Sequence, residues 1–261
     1  MNDEKKMAYI KRLIFIYLIS SILYIPLFLY DTSFFGFIYT LIFGYGHLWY
    51  LSSIIFALIT MYILGKRFKY NKKIIFIIAI LFFTGVLFDE YYKIFNIAFI
   101  NKLANFIAYI GGGRSFVFFA LPLLLIGVVI SKNYDNIMKY FNRKIYLYFV
   151  ISIILSFLEM IFLRHKLSND ITADLTLFNN IPAIFIFIIS LSIGNNFIKM
   201  KTRMLRKMSD IIYIIHILIL NFIKNISINN FAKFILCYLI CLVISYVFIK
   251  LQERIKLAHK S

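Results

Sequence analysis

The dominant pattern along this chain is a series of long apolar runs broken by short clusters of charge. Eight runs, at 13–29, 48–64, 74–88, 115–130, 145–163, 177–194, 211–223 and 231–249, hold almost no Asp, Glu, Lys or Arg. Their continuity excludes the strict alternation of a half-buried strand and predicts α-helices. A spanning helix needs roughly 20 mostly apolar residues. Several runs are shorter, but flanking Tyr, Phe and Lys extend them into the interface, where aromatic rings and snorkelling amines are stable. Two further stretches, 34–46 and 94–113, are less hydrophobic or interrupted and read as interfacial or re-entrant pieces. The expected fold is all-α, a polytopic transmembrane helical bundle of about eight spans. With no Gly/Ser-rich linker and no internal repeat, it reads as a single domain over 1–261.

Composition agrees. The chain is 62% hydrophobic and 15% charged, against roughly 45–50% and about 25% in soluble domains. That much apolar surface needs an apolar solvent, which a lipid bilayer supplies. No small-residue cleavage site follows the first run, so it reads as a retained span rather than a secretory signal.

The formal charge of +18 would suit a nucleic-acid partner if it formed one patch. Instead it alternates. Lys and Arg crowd the segment before the first run, the connections 66–73, 132–144 and 199–207, and the tail after 249. Together these hold 22 of the 29 basic residues. The opposite connections hold Lys93, Lys102, Arg114, Arg164, Lys166, Lys224 and Lys233, beside Asp31, Asp89, Glu90, Asp170 and Asp174. Basic loops resist translocation, so the split places both termini in the cytoplasm and removes any need for nucleic acid.

Within the apolar runs, polar residues carry the information, because a charge in hydrocarbon costs several kcal/mol, roughly 2.5–3.5 on insertion scales. Glu159 lies about one turn before the outer end of its run. It is either a carboxylate that reaches the interface or is held protonated, or a general base or the acid that orients one. His216 shares a helix face with Tyr213, three residues earlier. It is either a hydrogen-bonded structural imidazole or a proton shuttle, since imidazole changes charge near neutral pH. His47 opens the segment His47-Leu-Trp49-Tyr50 at the outer mouth of the second run. An aromatic belt accounts for Trp49 and Tyr50 but not for His47. Arg114 follows Gly111, Gly112 and Gly113, a strap that permits positive φ or close backbone approach. It is either a loop cation or an arginine that binds an anion or carbonyl. In the derived orientation all four lie in the outer half of the membrane. Cys237 and Cys241, four apart in one run, read as small packing residues, and no metal site is expected.

These segments resemble a known family. The string His47-Leu-Trp-Tyr-Leu51, the segment from Arg114-Ser-Phe-Val to Pro122 with Gly127, and Ser209-Asp-Ile-Ile-Tyr-Ile-Ile-His216 occur in the order and spacing of membrane acyltransferase family 3, the bacterial O-acyltransferases. The opening from Tyr9 to Tyr24-Ile-Pro26 is similar to the branch that includes the membrane part of vancomycin-resistance serine racemases, and Glu159 matches an acidic position of its members. The resemblance implies transfer of an acyl group from acetyl-CoA or another acyl-CoA to a hydroxyl of an extracytoplasmic glycan or cell-envelope acceptor. It places the chain as a multi-pass protein of the bacterial cytoplasmic membrane. It makes His47, Glu159 and His216 the catalytic candidates, and Arg114, Tyr213 and Trp49 the substrate-binding ones. Family members typically have ten spans, the first two carrying a histidine and donor-binding arginines. This chain starts at the third, so it is expected to be an N-terminally shortened relative or to use the remaining site differently. An alternative from another class is a permeation module for serine or a similar small solute.

Overall fold

A computed structural model describes residues 3–29, 33–65, 73–95, 97–109, 111–141, 144–167, 175–197 and 202–258. Asp31, Asp170 and Asp174, and the basic residues Lys66, Arg67, Lys69, Lys72, Arg143, Lys199, Lys201 and Lys260, lie outside them. The described residues are helical, without strands. In chain order the helices are α1 (Asp3–Phe28), α2 (Phe34–Phe43), α3 (Trp49–Leu64), α4 (Lys73–Phe95), α5 (Ala98–Ala108), α6 (Phe116–Lys132), α7 (Tyr134–Phe141), α8 (Lys144–Leu167), α9 (Ile181–Phe197), α10 (Thr202–Ile223) and α11 (Asn230–Ala258).

Each of the eight expected runs falls on a helix: α1, α3, α4, α6, α8, α9, α10 and α11. Five are long and apolar enough to cross a membrane: α1, α3 with its leading turn, α4, α8 and α11. The chain is thus a multi-pass, all-helical membrane protein. The stretches read as interfacial contain the short helices α2 and α5. Not expected was α7, an eight-residue helix in the basic connection after α6.

The chain divides into two compact units, Met1–Ser192 and Ile193–Ser261. In the first, α3, α4 and α6 pack together around Ala57, Val86, Phe119, Ala120 and Leu175. Helix α1 lies against α3 and turns Tyr17, Ser20, Ser21 and Tyr24 inward, while Phe15, Leu18, Ile19, Ile22 and Leu23 point out. Small and polar residues inside with apolar ones outside is the arrangement lipid favours, because interhelical hydrogen bonds and close packing, not exclusion from water, hold the helices together. The Tyr17 hydroxyl donates to the Leu41 carbonyl at 2.8 Å and Ser52 Oγ to the Ile42 carbonyl at 2.6 Å, fixing the C-terminal end of α2. Helix α8 contributes only a narrow inward stripe, Ile145, Ser152, Glu159 and Leu163, with apolar residues exposed on its other faces.

The second unit is an antiparallel pair, α10 with α11, closed over Ile219, Ile223, Cys237 and Cys241. Its connection is capped at both sides. Asn229 Oδ1 accepts from the Ala232 N–H at 2.7 Å, and Lys233 Nζ donates to the Lys224 carbonyl at 2.7 Å. Both cysteines are buried packing residues.

Candidate active site

Two spans of the first unit depart from α-geometry where polar residues gather. In α4 a π turn covers Leu87–Tyr91 and carries Asp89, Glu90 and Tyr91. In α6 a π turn covers Phe116–Ala120, just ahead of Pro122. Proline cannot donate to the carbonyl four residues back and crowds it, and a wider turn absorbs the defect.

Between these turns runs the glycine strap. Gly111 has φ of 96° and Gly112 of 65°, both in the region that favours glycine. Gly113 lies so close to α4 that a Cβ there would strike the Gly85 carbonyl oxygen and come within 2.8 Å of Asp89 Cβ. This close approach delivers Arg114 to Asp89. The Arg114 Nε stands 3.4 Å from Asp89 Oδ1, and its guanidinium lies over the Trp49 ring, 5.7 Å from the centroid. Ser53 Oγ donates to the Arg114 carbonyl at 2.9 Å, tying the strap to α3 as well. The arginine is thus oriented by a carboxylate and by a ring face, a pairing that suits a planar cation and not an ammonium. The next acid, Glu90, is fully buried and pairs with Lys93 Nζ at 2.9 Å.

Asp89 also links to the segment before α9: the Leu175 N–H donates to Asp89 Oδ2 at 3.3 Å. The following residues of that segment belong to Glu159. Its Oε2 accepts from Thr176 Oγ1 at 2.7 Å and the Phe178 N–H at 2.8 Å. Its Oε1 accepts from the Leu177 N–H at 2.8 Å and from the Tyr91 hydroxyl. Four donors on two oxygens hold this buried carboxylate against its desolvation cost. In this arrangement Glu159 ties α8, α4 and the start of α9 together.

His47 sits in the turn Gly46–Leu48 that leads into α3, with its ring edge-on to Tyr24 of α1 at 5.2 Å. It is two residues from Trp49 and so at the same end of α3. Tyr213 and His216 lie on α10, in the second unit. His216 Nδ1 is 2.8 Å from the Tyr213 carbonyl oxygen and 3.2 Å from that of Ile212. Carbonyls only accept, so this nitrogen carries the proton, an assignment made from the hydrogen-bond network, and in the neutral ring Nε2 is the basic atom. The Tyr213 and His216 rings lie 6.1 Å apart.

Of the residues expected from sequence, Trp49, Arg114 and Glu159 thus belong to one linked network, with His47 at its margin. Sequence reasoning passed over the residues that join them: Asp89, Tyr91 and Thr176. The available signal was the pair Asp89–Glu90, which ends an apolar run and so resembles ordinary interface charge. Among the described residues no three His, Cys, Asp or Glu side chains group as metal ligands.

A family model described as an acyltransferase domain matches residues 7–250, nearly the whole chain and both compact units. No curated protein and no solved structure matches it. The matched stretch contains α3 with His47 and Trp49, the strap with Arg114, Glu159 and the α10 pair, and on that footing the chain belongs to acyltransferase family 3, whose members are membrane acyltransferases.

Proposed function

We propose that the chain transfers an acetyl group from acetyl-CoA to a hydroxyl of an extracytoplasmic glycan or other cell-envelope acceptor, in the cytoplasmic membrane of a bacterium. The observation that carries this reading is the Arg114 guanidinium, held between Asp89 and Trp49 at the end of a glycine strap. Acyl transfer develops negative charge on the carbonyl oxygen, and a preorganised cation in a water-poor setting stabilises it with little reorganisation.

The reaction needs a base for the acceptor hydroxyl. His216, on α10 of the second unit, is one candidate, an imidazole oriented by the Ile212 and Tyr213 carbonyls at Nδ1. His47 is the second candidate. The acceptor oxygen attacks the thioester carbon and its proton passes to the imidazole. The C–S bond then breaks, and the proton goes to the departing CoA thiolate. Trp49, against the Arg114 guanidinium, lines the approach of substrate in the first unit, and Tyr213 is the candidate substrate contact of the second. Glu159 acts as a positioning residue, holding the segment whose first residue contacts Asp89.

The test is transfer from labelled acetyl-CoA to cell-envelope polysaccharide by vesicles containing the protein. Wild type is expected to transfer above protein-free vesicles. Arg114→Ala is expected to lower the rate about 100-fold or more, in the range found on removing one oxyanion donor. No transfer by wild type above protein-free vesicles overturns the reading.

A further inference from the structure

Ser115 is 3% exposed, and among the described residues its hydroxyl oxygen has no hydrogen-bond partner. Such a group costs folding stability, so one that persists calls for a reason. Its position sharpens the point. Ser115 is the residue at the N-terminal cap of the π turn Phe116–Ala120, where a serine side chain ordinarily accepts from the exposed N–H groups. Here it makes no cap bond. Its own backbone is fully engaged: its N–H donates to the Gly112 carbonyl at 3.1 Å, and its carbonyl accepts from Phe118 and Phe119. The main chain therefore holds the residue in place while the hydroxyl is put to no structural use.

The residue directly before it is Arg114, oriented by Asp89 and Trp49. The strap lies against Ser115: a Cβ on Gly111 would sit 3.4 Å from the Ser115 Cβ. We propose that Ser115 is the second donor of the acyl-binding site, its hydroxyl hydrogen-bonding the carbonyl oxygen of the acyl group under transfer beside the Arg114 guanidinium. The hydroxyl that is buried and unpartnered without substrate gains its partner there. The inference rests on the acyl-transfer reading above and assigns that site a further residue. A neutral donor next to a fixed cation lets charge on the oxygen grow without a second buried ion.

The experiment compares wild type with Ser115→Ala in vesicles, measuring transfer from labelled acetyl-CoA and, in detergent, the melting temperature with and without acetyl-CoA. The expected result is a drop in kcat of about 100-fold, with the KM for acetyl-CoA changed little and the ligand-free melting temperature unchanged or higher. A structural hydroxyl would give the opposite thermal result. If wild type transfers and Ser115→Ala transfers equally well, the inference falls and the acyl-transfer reading stands. If Ser115→Ala loses transfer together with melting temperature, Ser115 is structural and the inference falls. If wild type neither transfers nor is stabilised by acetyl-CoA, both fall together.

Discussion

At the scale of single residues the network tolerates little change, and two substitutions measure that. Gly113 has no room for a side chain, because the first atom would meet the backbone of α4 at Gly85. A clash with backbone cannot be relieved by a rotamer, so the strap must lift and carry Arg114 away from Asp89. Gly113→Ala is expected to cost about 1–3 kcal/mol. It should also lower transfer as far as Arg114→Ala does, whereas Gly112→Ala, with open space beside it but φ of 65°, should be milder. Thermal unfolding in detergent and the vesicle assay measure the two effects. Glu159 gives a graded series. Its carboxylate accepts four hydrogen bonds, while a glutamine has one acceptor oxygen and turns an amide donor toward the rest. Glu159→Gln should therefore lose about 1–3 kcal/mol, and Tyr91→Phe, which removes one donor of four, about 1 kcal/mol. Equal losses from both would mean that the four bonds do not act as one support.

How much of this was legible differs by residue. Glu159 stands out in a sequence because it is the one acid inside its apolar run, where a charge is costly without partners. Its partners did not stand out, since three of the four donors come from a segment 17 to 19 residues further on and two of those are backbone N–H groups. Backbone donors leave no trace in side-chain chemistry. Ser115 was not singled out for a related reason: it opens the run 115–130 as one small residue among apolar ones, and only its burial without a partner makes it conspicuous.

At the scale of elements, the eight apolar runs specified their helices well because a run without charge has one stable conformation in lipid. What they could not specify was the irregularity within them. The π turn in α4 adds a residue to the local turn, which sets the directions of the side chains within it. Asp89 faces the strap, Tyr91 faces α8 and Glu90 is buried toward Lys93 within three successive positions. Deleting Phe88 converts the wide turn to regular helix and moves Asp89, Glu90 and Tyr91 off the positions they hold within it. The deletion is expected to abolish transfer while leaving helix content by circular dichroism unchanged. Full activity would show that the π turn is incidental. Helix α7 was missed for a different reason: Tyr134, Ile137, Met138 and Phe141 recur at helical spacing between polar residues, so it has a periodicity but no continuous run.

At the scale of the whole molecule, the charge pattern makes a claim that the packing of the first unit allows to be checked. If Lys- and Arg-rich connections stay in the cytoplasm, the start of α3, the end of α4, the start of α6, the end of α8 and the start of α9 all belong to the opposite side. These are the ends that meet: Trp49 with Arg114, Arg114 with Asp89, Asp89 with Leu175, Glu159 with Leu177. Contacts between ends of opposite assignment would have broken the orientation. Their agreement puts the candidate site on one side of the membrane, and the charge pattern assigns that side to the outside, where an envelope acceptor is within reach. The orientation follows from charge alone, so it is open to a direct measurement. On a background in which the buried Cys237 and Cys241 are replaced by alanine, single cysteines at the exposed positions Asn105 on α5 and Asp135 on α7 provide one probe for each side. In intact cells a membrane-impermeant maleimide is expected to label Asn105→Cys, and to label Asp135→Cys only after the membrane is opened. The reverse pattern would put Arg114 on the cytoplasmic face. The acceptor would then have to be sought among cytoplasmic hydroxyl compounds, although the chemistry argued for the site would be unchanged.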